Sequence, residues 1–328
     1  MIPPRGAITA LVTPFRDGRI NCRTYESDIA RQLESGISGL VACGTTAETP
    51  TLEASERTLL IRSAVVCADG KVPVFAGTGT NSTSETIIRT REARKLGADA
   101  ALVVTPYYSR PSQEGLCRHF EAIAAAAELP VILYSVPGRT GVDLEVESVA
   151  RLARLDGIVG LKEAGGRPHR CRALRQVVPH TFRLYSGNDA TVLSDIADGA
   201  DGSISVISNA FPSEWQAVCT LALSSPEAAL EAFASMAGLV EALALETNPC
   251  PIKYLLSLTC PGHSNEVRLP LVPIEAATAA RIRRALDGVT AIFAAARAGS
   301  AWTAKAPPTA SGVGRAQDRG PVSGGQGG

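Results

Sequence analysis

Ala7-Ile8-Thr9-Ala10-Leu11-Val12-Thr13-Pro14-Phe15 is the first β-rich run of the chain, and the way it ends decides the fold. A doubly wound open sheet usually leaves its first strand through Gly-x-Gly-x-x-Gly, whose glycines bring a dinucleotide phosphate to a helix N-terminus. This run ends in Thr13-Pro14-Phe15 instead. Further runs of the same kind lie at Gly39–Gly44, Val72–Gly77, Ala100–Pro106, Pro130–Pro137, Ile158–Ala164, Phe182–Gly187 and Gly202–Ser208. They are continuously apolar more than alternating, as parallel strands covered on both faces must be. Between them Tyr25–Ser35, Ser55–Cys67, Ser84–Leu96, Gln113–Glu128, Glu145–Arg154, His169–Val177 and Ala190–Asp198 have helical patterning. Successive strand–helix units of this number predict an α/β fold, a (β/α)8 TIM barrel. An open sheet would need fewer strands.

After the eighth strand the pattern is helical only, over Trp215–Leu223, Pro226–Leu245 and Glu275–Ala296. The reading is a barrel over residues 1–224, a C-terminal helical domain over 225–298 and a tail over 299–328. The tail holds 8 Gly and 3 Pro with no Leu, Ile or Phe. Such a segment buries too little to offset its chain entropy and is expected to be disordered.

Composition narrows the function classes. Lys+Arg and Asp+Glu are both 32, so the chain carries no net charge to neutralise phosphates, and a nucleic-acid partner is not expected. No apolar run approaches the ~18 residues of a membrane span. No signal peptide is visible at Met1–Arg5, and a cytoplasmic protein is expected. The 8 cysteines show no Cys-x-x-Cys pair, so reduced, mostly buried thiols are expected, with neither a disulfide framework nor a metal site.

Barrel active sites sit at the C-terminal ends of the strands. Those ends carry Gly44-Thr45-Thr46-Ala47-Glu48, Gly77-Thr78-Gly79-Thr80-Asn81, Thr105-Pro106-Tyr107-Tyr108, Tyr134-Ser135-Val136-Pro137-Gly138-Arg139-Thr140-Gly141, Lys162-Glu163 and Ser186-Gly187-Asn188-Asp189. This is a ring of hydroxyls, phenols and one amine, without a histidine or a metal-binding set. Lys162 closes the apolar run Ile158-Val159-Gly160-Leu161. Burial disfavours an ammonium, and a neutral amine attacks a ketone to form a Schiff base. A Lys162–Glu163 ion pair at the rim is the competing reading. Tyr134 ends the neighbouring strand, where a phenol relays protons, or is a core tyrosine. Thr45 and Thr46 offer hydroxyls and backbone N–H groups to a carboxylate, or simply cap a helix. Arg139 suits a bidentate carboxylate contact or is a surface arginine.

Taken together, Gly6-Ala-Ile-Thr-Ala-Leu-Val-Thr-Pro-Phe15, Gly44-Thr-Thr-Ala-Glu48, Val104-Thr-Pro-Tyr-Tyr108, Tyr134-Ser-Val-Pro-Gly-Arg-Thr-Gly141, Gly160-Leu-Lys-Glu-Ala164, Ser186-Gly-Asn-Asp189 and Asn248-Pro-Cys-Pro-Ile-Lys253 resemble the dihydrodipicolinate synthase / N-acetylneuraminate lyase family. The resemblance runs from about residue 5 to about 297. It implies a pyruvate-dependent class I aldolase-type barrel that needs no cofactor and assembles as a homotetramer, a dimer of dimers. It implies that Lys162 is the Schiff-base lysine and Tyr134 the proton shuttle, with Thr45 and Tyr108 completing a relay, Tyr108 from the neighbouring subunit. It places Thr46 on the pyruvate carboxylate, Gly187 and Ile204 in the pocket lining, and Arg139 on the carboxylate of aspartate semialdehyde as second substrate. Arg139 favours the synthase branch; a sugar acid is the alternative substrate, and a silent ligand-binding paralogue the remote one. The chain departs from the family pattern at Ala47, Ser135, Gly165 and Asn188, next to the chemistry.

Many synthases of this kind are inhibited by lysine at a dimer-interface site. The matching positions here are Thr49, Ala54, Arg57, Asn81, Glu85 and Tyr107. Ala54 and Arg57 stand where sensitive members carry histidine. Alanine offers no polar atom and arginine repels the ligand's ammonium groups, so weak or absent inhibition is expected.

Overall fold

The computed structural model describes residues 2–298 of the 328. The tail assignment, 299–328, lies outside the described residues. Residues as far as Thr290 form one compact unit, and a second begins at Ala291.

Eight parallel strands close into a barrel: β1 (Gly6–Ala10), β2 (Gly39–Ala42), β3 (Val74–Gly77), β4 (Ala100–Val104), β5 (Val131–Ser135), β6 (Ile158–Glu163), β7 (Arg183–Ser186) and β8 (Gly202–Ser205). Each pairs with its sequence neighbours, and β1 closes the ring against β8 and β2. Seven of the strands fall within their apolar runs, β1 begins one residue before its run, at Gly6, and every strand is shorter than its run. The reason is visible at β1. Leu11, Val12 and Phe15 are buried, but the chain has already left the sheet, and Phe15–Arg16 pairs antiparallel with Arg19–Ile20. Asp17 and Gly18 both have positive φ, 53° and 75°, the geometry of a two-residue hairpin turn. Apolar content alone carries β1 on to Phe15; the Asp17-Gly18 pair is the local signal that the chain turns into a hairpin there.

Barrel strands expose alternate residues to the interior. Ile8, Ala10, Val41, Phe75, Ala100, Leu102, Ile132, Tyr185 and Ile204 fill it from below, and Tyr134 tops the same cluster. The interior is therefore solid, and a ligand finds room only above it.

Helices cover the outside: α1 (Cys22–Glu34), α2 (Ala54–Ala68), α3 (Thr83–Lys95), α4 (Gln113–Ala127), α5 (Val146–Leu152), α6 (Arg170–Val177), α7 (Val192–Ala197) and α8 (Pro212–Ala222). Side-chain caps start several of them. Asn21 accepts from the Thr24 N–H, Ser82 from Glu85 and Ser112 from Gly115. Beyond the barrel lie α9 (Pro226–Leu243), α10 (Cys250–Thr259) and α11 (Ala276–Ala298). Helix α10 is hidden in the sequence, because Pro249 and Pro251 mask its start; Pro251 sits in the first turn, where a proline costs no hydrogen bond. No helix among the described residues is long and apolar enough to cross a membrane.

His119 on α4 is buried, with Nδ1 2.9 Å from Thr83 Oγ1 and Nε2 unpartnered among the described residues. Burial pushes its pKa down to about 4. The fold thus favours the neutral ring. That contribution is complete above the unfolded value, near 6.5, and is lost as pH falls toward 4. His119→Gln should flatten the acid side of the stability profile, removing up to roughly 3 kcal/mol of the loss between pH 7 and 4. Thermal unfolding of both proteins across that range checks this.

Candidate active site

The strand ends carry two adjoining cavities, of about 260 and 220 Å³. Thr45, Tyr134, Val136 and Arg139 belong to the walls of both. The smaller one contains Lys162, with Thr46, Gly187, Asp189 and Asn248 around it and Val240 and Leu243 of α9 above.

Register places the amine. Tyr134 on β5 lies opposite Lys162 on β6, so both face inward, while the next pair, Ser135 and Glu163, faces out. The Lys162 ammonium stands 4.6 Å from the centre of the Tyr134 ring, and the residue is only 5% exposed. Alternation also decides between the two readings of Lys162. Glu163 is on the other face of the strand, where its carboxylate accepts from the Gly165 N–H at 2.7 Å and from Arg170 Nε at 3.4 Å. Burial pushes the Glu163 carboxyl up and Arg170 works against this. Among the described residues Lys162 has neither a hydrogen bond nor an ion pair with a carboxylate. A neighbouring carboxylate does share its cavity. Asp189 accepts from the backbone N–H groups of Val206 and Ile207, at 3.0 and 2.8 Å. Its carboxyl is raised by burial, and those hydrogen bonds and the Lys162 charge oppose the rise.

The other anticipated residues fall in different places. Thr45 and Thr46 occupy a single helical turn, Thr45–Ala47, directly after β2. Thr45 lines both cavities, and Thr46 is buried. Arg139 is exposed at the mouth, on the short helical turn Pro137–Thr140. Gly187 lies against the amine, and a Cβ there would stand 2.9 Å from Lys162 Cε. Ile204 is fully buried in the barrel cluster beneath the cavity and does not line it. Tyr108 is 91% exposed with a φ of 71°, outside both cavities of this single chain.

Of the positions matched to a lysine site, Thr49 and Tyr107 line the larger cavity. Thr49 Oγ1 stands 2.7 Å from both the Cys43 and the Gly44 carbonyl oxygens, which share its one hydrogen. Ala54 and Asn81 are exposed. Arg57 Nη1 donates to the Leu52 carbonyl at 2.9 Å, and burial, then the charge of Arg89, lowers its pKa. Glu85 is already paired, because Arg89 Nε donates to its Oε1 at 2.7 Å. Arg89 does not stand out in the sequence; its place four residues after Glu85 on one helix is the available signal.

Asn248 has no role in the sequence reading either, although its segment carries part of the resemblance. Its amide donates to Thr46 Oγ1 at 3.0 Å and its backbone carbonyl accepts from Arg139 Nη2 at 3.1 Å. No group of three or more His, Cys, Asp or Glu that could hold a metal occurs among the described residues, and all eight cysteines are free.

The arrangement is a nearly buried amine beside a phenol, with no hydrogen bond or ion pair to a carboxylate among the described residues, in a cavity that also holds hydroxyls, a guanidinium and the Asp189 carboxyl. That suits carbonyl chemistry on a small acid. Residues 3–288 match the model of the dihydrodipicolinate synthetase family. A 4-hydroxy-tetrahydrodipicolinate synthase of Alcanivorax borkumensis is 45% identical over 287 residues, which is 86% of this chain and 96% of that one. The solved structure of the same enzyme from Methylacidiphilum fumariolicum superposes with a TM-score of 0.87 at 40% identity, covering 90% of this chain and 98% of the other. The chloride-inhibited dihydrodipicolinate synthase of Acinetobacter baumannii, solved with pyruvate, gives 0.83 at 41% identity, covering 87% and 99%. With nearly the whole barrel and its helical extension matched in both sequence and structure, the chain belongs to the dihydrodipicolinate synthetase family.

Proposed function

We propose that this chain condenses pyruvate with L-aspartate 4-semialdehyde, the 4-hydroxy-tetrahydrodipicolinate synthase reaction of diaminopimelate and lysine synthesis. The observation that carries it is Lys162: a nearly buried amine with no hydrogen bond or ion pair to a carboxylate among the described residues, beside the Tyr134 phenol and open to a cavity.

The neutral amine attacks the ketone carbon of pyruvate, and the carbinolamine loses water to give an imine. Tyr134 gives the departing hydroxyl its proton, and Thr45 and the partner chain's copy of Tyr108 pass protons to and from solvent. Thr46 and the turn around it hold the pyruvate carboxylate. Loss of a methyl proton turns the imine into an enamine, whose carbon attacks the aldehyde. The amino group of the second substrate then adds to the imine carbon, closes the ring and expels the Lys162 amine. One water leaves overall. Arg139 at the mouth binds the carboxylate of the aldehyde substrate, and Gly187 leaves room for the Lys162 side chain.

The exposure of Tyr108 supports an assembly in which it enters a neighbour's site, and we assign a cytoplasmic homotetramer. Residues 1–224 are assigned to the barrel and 225–298 to the helical domain that contributes Asn248. Asn188, in the cavity wall where the family pattern has aspartate, keeps a sugar acid as the second reading.

Lys162→Ala should fold and lose nearly all turnover, and borohydride with pyruvate should add mass to the peptide containing Lys162. Mass added at Lys253 or Lys71 would refute the assignment.

Arg139→Ala should still be trapped by pyruvate and borohydride. Loss of a charged hydrogen-bonded contact of ~1.5–3 kcal/mol should lower kcat/KM for aspartate semialdehyde roughly 10- to 150-fold. An unchanged value would favour the sugar acid.

L-lysine should inhibit weakly, because Glu85 is held by Arg89 and Arg57 is a second cation nearby. Arg89→Leu frees Glu85 and should lower the inhibition midpoint. A sub-millimolar midpoint in the unaltered protein would contradict this.

A further inference from the structure

The segment Asn248-Pro-Cys-Pro-Ile-Lys253 touches the turn after β2 at two points. Asn248 Nδ2 donates to Thr46 Oγ1 at 3.0 Å. Five residues on, Lys253 Nζ donates to Glu48 Oε1 at 2.6 Å, and both of these side chains are completely buried. The Lys253 ammonium also lies 4.2 Å from the centre of the Phe15 ring, and the other Glu48 oxygen accepts from the Arg268 N–H at 2.9 Å. A sealed ion pair adds little net stability against its desolvation, but it fixes which groups face each other. Here it fixes the segment carrying Asn248 against the turn carrying Thr46. The same residue's carbonyl holds Arg139.

A hydroxyl has one hydrogen and two lone pairs. An amide N–H on Thr46 Oγ1 occupies a lone pair and leaves the O–H to donate. A carboxylate accepts only, so a threonine that binds one must present its hydrogen. Resting on the function proposed above, we infer that Asn248 is a positioning residue: it sets Thr46 as a hydrogen-bond donor to the pyruvate carboxylate, and the buried Lys253–Glu48 pair holds it there.

The test is steady-state kinetics with pyruvate and aspartate semialdehyde varied in turn. Asn248→Ala should raise KM for pyruvate about 3- to 10-fold, the worth of one neutral hydrogen bond, with kcat and KM for the aldehyde little changed. Asn248→Asp should raise it further, because a carboxylate takes the Thr46 hydrogen for itself. In a Thr46→Val background Asn248→Ala should add nothing. Glu48→Gln combined with Lys253→Met removes both charges together and should raise KM for both substrates, since Arg139 shares the segment. Should Asn248→Ala not fold, Asn248→Ser, too short to reach Thr46, makes the same comparison. A wild-type KM in Asn248→Asp, or a full effect of Asn248→Ala without the Thr46 hydroxyl, overturns the inference while leaving the reaction intact. Failure of the unaltered protein to trap pyruvate on Lys162 overturns the reaction itself, and the inference with it.

Discussion

Successive side chains of a β-strand point to opposite faces, and closing the parallel sheet into a barrel turns one of those faces into a single small interior. Past the irregularity at Val159 near the start of β6, that alternation runs on to the strand's end. Everything at the site depends on this. At the end of β6 it separates two consecutive charged residues, sending Lys162 inward and Glu163 outward to Arg170. The barrel also supplies a floor, since Ile204, Tyr185 and their neighbours fill the space below and leave the amine at the base of a cavity.

The sequence is legible wherever a property is carried by neighbours along the chain. Apolar runs mark eight strands, and the position of Lys162 at the end of one of them singles it out. Strand ends are less legible, because an apolar residue such as Leu11 or Val12 is buried whether or not it lies in the sheet. Pairing across long sequence distances leaves no local trace at all. Asn248 reaches Thr46 across 202 residues, and Lys253 reaches Glu48 across 205. The Glu85–Arg89 pair is local, yet in a chain with 27 arginines its spacing alone does not distinguish it from a solvated helix face.

Arg89, in the wall of the larger cavity, has a physical consequence beyond that pair. Arg89 is close enough to Arg57 to disfavour its charge, and Glu85, which pairs with Arg89, opposes that effect. A cationic ligand that paired with Glu85 would have to displace Arg89 from it; an acidic ligand would not. With Arg89 and Arg139 in its wall, this cavity favours an anionic over a cationic ligand.

Two lysines of the chain show how one side chain is put to opposite uses. Both are buried, and both lie over an aromatic ring, Lys162 over Tyr134 at 4.6 Å and Lys253 over Phe15 at 4.2 Å. Burial and an aromatic neighbour thus do not distinguish the two. Lys253 is sealed against Glu48 with no exposed surface; its pKa is lowered by burial, and Glu48 opposes that by stabilising the charge. An amine so held cannot reach a carbonyl carbon, and neutralising it would strand a buried carboxylate. Lys162 faces a cavity, with the Asp189 carboxyl in its wall but not hydrogen-bonded to the amine among the described residues, and has the Tyr134 phenol on the adjacent strand. The distinction rests on the partner, and the partner of each lysine is set by the fold: strand alternation withholds Glu163 from Lys162, while the C-terminal segment delivers Lys253 to Glu48.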